Sequence, residues 1–355
     1  MAKIYIESMD RSPGVGERAK DFCEKDDFCL QFELRHLFRT MAVFGLHHPL
    51  KAPKCFNSCI QAFTTYVQKG YCILIQIILW LNVIRLVVSF WIGDAASLNP
   101  DLFAVKLLMC VWSLQCAVNS TIWYFLCCSR KLQDLMQFWQ TNCQSSIASY
   151  VLGTSIPVKW VRRKIRIMFA ICMIIIVTSP IGYAVIRLES VDESLRNDTA
   201  VIVAPISTGP LAWEIVVITV LTFATGVFFL PAVFLLILCS ILSHQFQSFT
   251  DKFTTCITDK GVANVCLSMM RRQHQYLAKT VFLADDALSF YLAISIAQSI
   301  FTACFGMYQL VIAQSFTSII SISMAVFWMA LAALFFGFVG LYTARVNEKV
   351  SQLSK

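Results

Sequence analysis

Tyr71 to Gly93 reads YCILIQIILWLNVIRLVVSFWIG, and this run decides the fold. Crossing a hydrocarbon core of about 30 Å takes roughly 20 residues of helix, and this stretch is long enough with a single charge, Arg85, inside it. Similar runs follow at Leu102 to Cys128, Ile167 to Ile186, Trp213 to Ser243, Phe290 to Ala313 and Thr317 to Thr343, which makes six spans. The composition agrees. Only 14% of the residues are charged and 57% are apolar, against roughly 25% charged in ordinary soluble domains. The expected fold is an all-α integral membrane protein, a polytopic helical bundle. Residues 1–70 form an N-terminal segment, 71–343 the bundle with its helical extensions, and 344–355 a tail.

Lys and Arg set the direction of the spans, because cationic loops stay on the cytoplasmic side. The first 70 residues hold 10 of them, Ser129 to Arg166 holds 7, His244 to Ser289 holds 5 and the tail from Ala344 holds 3, so 25 of 29 fall in alternate segments. Asp94 to Asp101 and the turn after Ala313 hold none, and Leu188 to Leu211 holds only Arg196. The N-terminus and the tail are therefore read as cytoplasmic. Met1 to Lys20 lacks the apolar run of a cleavable signal peptide, so the N-terminus is expected to be retained. The sequon Asn197-Asp198-Thr199 falls in an outer loop, where glycosylation is chemically accessible. A second sequon, Asn119-Ser120-Thr121, lies inside the second span and is discounted.

The net charge of +8 does not indicate a nucleic-acid partner, since the cations sit between apolar runs rather than on one folded face. All 15 cysteines fall in spans or cytoplasmic segments, where thiols stay reduced. His47 and His48 near Cys55 and Cys59 match no standard ligand spacing, so neither a metal nor a cofactor is expected. No Walker loop, nucleophile elbow, HExxH or strand-linked GxGxxG is present, and the chain is not read as an enzyme. The acidic pair Asp285-Asp286 is read as a solvated helix end.

Polar residues at membrane depth are costly and normally face protein or water. Arg85 lies deep in the first span, and Pro180 and Pro231 interrupt the donor ladders of the third and fourth. The outer loops are mostly short, so an external small molecule must enter the bundle. Lys106, Tyr183, Glu214, Tyr308 and Gln309, all in outer halves of spans, are the expected contacts of a pocket opening outward among spans two to six. On the inner side the ends of spans four to six are expected to project as helices and to carry subunit contacts. Phe246, Phe249, Phe253, Leu277 and Phe282 form an apolar stripe there that requires burial.

Arg271 to Val311 (RRQHQYLAKTVFLADDALSFYLAISIAQSIFTACFGMYQLV) resembles the most recognisable part of the insect gustatory receptor family and its nematode relatives. His274, Leu277, Leu283, Leu292, Phe301, Phe305 and Tyr308 match its rhythm. Ala344 to Lys349 looks like its small-Arg-Val-polar-Glu segment, and Leu37 to Pro49 (LFRTMAVFGLHHP) is similar to its approach to the first span. The resemblance implies a chemosensory receptor built as a ligand-gated cation channel, a homo- or hetero-oligomer and by family likeness a tetramer, in the plasma membrane. It also implies a seventh, pore-lining span carrying Thr-Tyr and Gln-Phe. The sequence reaches Lys355 without that pattern, which leads to the expectation of a truncated or modulatory form. The alternatives are a light-sensing relative, a G-protein-coupled serpentine chemoreceptor and a transporter. The second demands an outside N-terminus, and the third an internal repeat that the sequence does not display.

The charge count yields a direct test of direction. An epitope tag before Met1 should stain only after the plasma membrane is permeabilised, and staining of intact cells would reverse the topology and favour the G-protein-coupled alternative.

Overall fold

A computed structural model describes residues 34–46, 58–92, 100–144, 158–189, 211–256 and 267–312, with isolated helical positions between 326 and 344. Every element among the described residues is helical. In chain order these are α1 (Arg35–Val43), α2 (Ser58–Ile92), α3 (Pro100–Cys128) and α4 (Lys131–Phe138), which continues into a π-helical segment (Trp139–Gln144). Then come α5 (Val158–Glu189), α6 (Leu211–Cys256) and α7 (Leu267–Ile312). Four stretches are long and apolar enough to cross a membrane: Tyr66–Trp91, Lys159–Gly182, Ala212–Thr255 and Leu267–Tyr308. Helix α3 covers the second expected span. The sixth lies largely outside the described residues, though Met329 from it packs so closely on α7 that a Cβ at Gly306 would meet its Cγ at 2.7 Å. The chain is a polytopic helical membrane protein.

The helices outrun their apolar cores. α6 and α7 are 46 residues each, about 69 Å at 1.5 Å per residue, more than twice the hydrocarbon thickness. Their excess lies on the side the charges assign to the cytoplasm, so the segment His244 to Ser289 is helical at both ends. Asp285 and Asp286 accordingly sit in mid-helix rather than at a helix end, and Asp286 pairs with Lys131 at 2.9 Å. Both partners are about half exposed, which limits the pair to a few tenths of a kcal/mol. More of the inner packing comes from Trp139, whose indole N–H donates to buried Gln245 at 2.7 Å and ties the π-helical segment to α6.

α6 is the axis of the bundle. Its most apolar window is 89% buried inside the protein, against 22% to 28% for those in α2, α5 and α7, whose outer faces are left to lipid. On α2 the division follows helical period: Cys72, Ile75, Leu79, Val83 and Leu86 are buried, while Ile73, Ile77, Leu81, Ile84 and Val88 are exposed. Around α6 an aromatic chain holds the layers together. Phe234 meets Trp123 of α3 edge-on at 5.5 Å, and Trp123 meets Tyr291 of α7 at 5.7 Å. Such pairs contribute about 0.5–1.5 kcal/mol each beyond area burial.

Part of the N-terminal segment packs against the bundle. The amphipathic α1 buries Leu37, Phe38 and Met41 and exposes Arg35, His36 and Arg39. It ends in a Schellman turn: Leu46 N–H donates to Met41 O at 2.8 Å and Gly45 N–H to Ala42 O at 3.1 Å, with Gly45 at φ +71°. Glycine is needed there for the left-handed backbone, and a Cβ would also meet Ile75 Cβ at 2.9 Å. Phe38 reaches Phe234 at 5.8 Å and Phe44 reaches Phe223 at 5.5 Å. Phe223 and Phe234 belong to the fourth span, so this part of the N-terminal segment is set within the bundle.

The inner apolar stripe is only partly as expected. Phe246, Phe249 and Leu277 are buried within the chain, whereas Phe253 and Phe282 are 36% and 68% exposed. The buried three belong to the continuous core, and the Phe249 ring lies 6.1 Å from that of His274 on α7. Phe282 stands on the opposite side of α7, because positions 277 and 282 differ by five residues, nearly one and a half turns.

Gly226 carries the contact that seats α1. A Cβ there would run into the Phe44 ring, with Cγ at 2.8 Å. Gly226→Ala should therefore destabilise the purified protein by about 1–3 kcal/mol through overpacking. The double variant Gly226→Ala/Phe44→Ala should be less destabilised than the sum of the singles, read from thermal midpoints in detergent. Additive losses would show that the two residues do not bear on each other.

Candidate functional site

Arg85 is the natural place to begin, since a guanidinium at membrane depth demands partners. It stands seven residues before the end of α2, about 10 Å inward. Its Nη2 and Nε both donate to Asn82 Oδ1, at 2.9 and 3.2 Å. Asn82 passes the connection on, donating from Nδ2 to Ser113 Oγ of α3 at 3.1 Å. On its other side the guanidinium lies over the Trp213 ring of α6, 6.0 Å from the centroid. One charge thus links three helices.

A turn further out, the buried Ser89 donates to Leu86 O at 2.6 Å, and its own carbonyl receives Lys106 Nζ at 3.4 Å. Lys106 is half-buried, six residues into α3, about 9 Å from that helix's outer end. Phe90 and Phe103 pack edge-on at 5.5 Å beside it. The result is a cationic, aromatic-edged cluster in the outer half of the bundle where α2, α3 and α6 meet. It can hold an anionic or hydrogen-bond-accepting group against a desolvated cation, and it can offer indole and phenyl faces to an apolar body.

The five expected contact residues divide as follows. Lys106 belongs to this cluster. Glu214 is half-buried in the first turn of α6, next to Trp213, and so lies at the same level. Tyr308 stands on α7, 39% exposed, four residues before that helix ends. Tyr183 and Gln309 lie on α5 and α7, and their side chains are outside what the structure describes. Asn197 and the His47, His48, Cys55 set likewise lie outside the described residues. The discounted sequon residue Asn119 is buried in α3.

Asn82, Ser113 and Trp213 were not anticipated. For Asn82 a signal existed: it is one of few strongly polar residues in its span and lies three before Arg85, the spacing that places two side chains on one helix face. Ser113 and Trp213 come from other helices, and nothing in their local sequence marks them.

Asn82→Leu should take two hydrogen bonds from the guanidinium and lower folded-state stability by about 1.5–3 kcal/mol, the range for hydrogen bonds to charged groups. Asn82→Leu/Arg85→Leu should recover most of that loss, because it removes both ends together. Chemical denaturation in detergent measures both, and a double variant no better than the single would mean Arg85 is supported elsewhere.

Among solved structures, the chain is similar to the insect olfactory receptor OR5 from Machilis hrabei, with a TM-score of 0.66 and 14% sequence identity over 90% of this chain and 81% of that one. No protein-family model and no curated protein matches the sequence. At that identity the likeness is one of fold: the polytopic helical arrangement described above is shared with an insect olfactory receptor.

Proposed function

We propose that the chain is a chemosensory receptor of gustatory type in the plasma membrane, acting as a subunit or modulatory form of a ligand-gated cation channel. The observation that carries this reading is the fold likeness to an olfactory receptor over 90% of the chain. The Arg271 to Val311 motif and the outer cluster at Arg85 support it. A small molecule from outside would enter among spans two to six, with Lys106, Glu214 and Tyr308, and Tyr183 and Gln309 by position, as its polar contacts. Assembly into homo- or hetero-oligomers, by family resemblance tetramers, belongs to the same proposal, as does glycosylation at Asn197. The G-protein-coupled alternative is disfavoured by the charge distribution, which sets the N-terminus inside.

Whole-cell recording under a panel of tastants and odorants tests the reading. The expected result is a cation current that persists when G-protein signalling is blocked with a non-hydrolysable GDP analogue in the pipette. Glu214→Ala or Tyr308→Ala should shift the half-maximal ligand concentration by about tenfold, equivalent to about 1.4 kcal/mol, with surface expression retained. A response that vanishes with the GDP analogue would sink the channel reading. Unchanged dose responses in both variants would sink the pocket.

A further inference from the structure

α5 enters the membrane through a basic sequence, Val158-Lys159-Trp160-Val161-Arg162-Arg163-Lys164-Ile165-Arg166, and carries no carboxylate before Glu189. Its faces divide cleanly. Val161, Ile165, Cys172 and Ile176 are buried, spaced four or seven apart along the side that packs on α6. Ile167, Ile171, Ile174, Val177 and Ile181, on the other side, are 50% to 61% exposed and form the lipid-facing stripe. Continued one turn toward the cytoplasm, that stripe runs into Arg163 and Lys159, with Arg166 beside it and Arg162 at its flank, all exposed. The cations therefore lie directly below a surface that hydrocarbon covers, at the level of the headgroups.

Lys164, the fifth cation of the group, is turned inward. Lys164 is half-buried, lies over the Trp160 ring at 5.1 Å and donates to Ser240 Oγ of α6. Trp160 in turn packs on His244 of α6, ring centroids 4.8 Å apart. These contacts hold the start of α5 at a set height and rotation, with an interfacial indole alongside. The open groove along α6 from His244 to Thr255 sets Asp251 beside Lys252, one charge of each sign, and so offers an anion less than the four cations of α5 do.

We propose that Lys159, Arg162, Arg163 and Arg166 form a binding site for the multiply phosphorylated headgroup of an anionic lipid of the cytoplasmic leaflet, of the phosphoinositide kind. Basic clusters immediately cytoplasmic of a span attract anionic lipid by about 1 kcal/mol per cation. Three of these four are arginines, whose planar forks match phosphate oxygens in pairs and favour phosphomonoesters over the single charge of a serine lipid.

The full chain reconstituted in phosphatidylcholine nanodiscs, doped with a minor fraction of phosphatidylinositol bisphosphate or of phosphatidylserine, tests this by native mass spectrometry of retained lipid. The bisphosphate lipid should be retained well above phosphatidylserine. Arg162→Gln/Arg163→Gln/Arg166→Gln, which spares Lys164, should weaken retention on the order of 100-fold. Lys252→Gln/Arg271→Gln, neutralising cations elsewhere on the same side, should leave it unchanged. Should the triple variant not insert, Arg163→Gln alone, at one exposed position, should give a several-fold fall. Equal retention of phosphatidylserine would reduce the site to general surface charge and overturn the proposal. Soluble inositol trisphosphate binding as tightly in plain phosphatidylcholine would assign the site to a free phosphate instead. Retention unaffected by the arginine substitutions would place the lipid elsewhere.

Discussion

The structure depends on how closely neighbours approach α6. In lipid there is no hydrophobic push between helices, since hydrocarbon is as apolar as leucine, and association rests on van der Waals contact and internal hydrogen bonds. A helix buried on nearly every side must then offer both. α6 does so with Gly226, where the Phe44 ring sits against bare backbone, and with Phe234, which reaches both Phe38 and Trp123. Its threonines cause no loss, because Thr219, Thr222 and Thr225 each return a hydrogen bond of 2.8 Å to the carbonyl four residues back. Pro231 removes one donor, yet the helix runs on through it to Cys256.

The same economy governs the charged and amide groups at depth. Arg85 is tolerable in α2 because Asn82 turns its charge into two directed hydrogen bonds and forwards one of its own to Ser113. Lys106 ends on the carbonyl of Ser89 rather than in hydrocarbon. Trp80 of α2 likewise donates to Thr121 of α3 at 3.2 Å. The α2–α3 contact is thus bonded at three depths, which explains how α2 stays registered while most of its surface faces lipid.

Apolar run length and cation placement made the architecture legible, since both reflect the solvent rather than any partner. The helical projection of α6 and α7 was legible from the stripe containing Phe246, Phe249 and Leu277. The seating of α1 was not. Its amphipathic pattern is that of any surface helix, and only the third dimension reveals that its apolar face meets Phe223 and Gly226 some 180 residues away. Phe282 misled for a related reason: a list of apolar residues between polar ones does not say which face each occupies. Phe253 shares the face of Phe249, stacking on it at 6.4 Å, but stands three residues from the end of α6 and is partly exposed there. Within the outer cluster, Lys106, Glu214 and Arg85 stood out because charge in a span is rare. Ser113 and Trp213 are ordinary span residues until α3 and α6 are brought beside α2.

A fold shared at 14% identity is possible because a helical bundle in lipid asks for little that is residue-specific: long apolar helices and small residues where backbones converge. Those demands are met by composition and pattern, so they constrain the outer cluster hardly at all. Any chemistry particular to this chain must then come from the few polar groups the fold leaves unconstrained. In this chain they include a guanidinium aligned by Asn82, an indole above it and a half-buried ammonium a turn away. Each of the two cations already has an acceptor, Asn82 Oδ1 for Arg85 and the Ser89 carbonyl for Lys106, and removing such an acceptor carries a far larger penalty than one misplaced methylene.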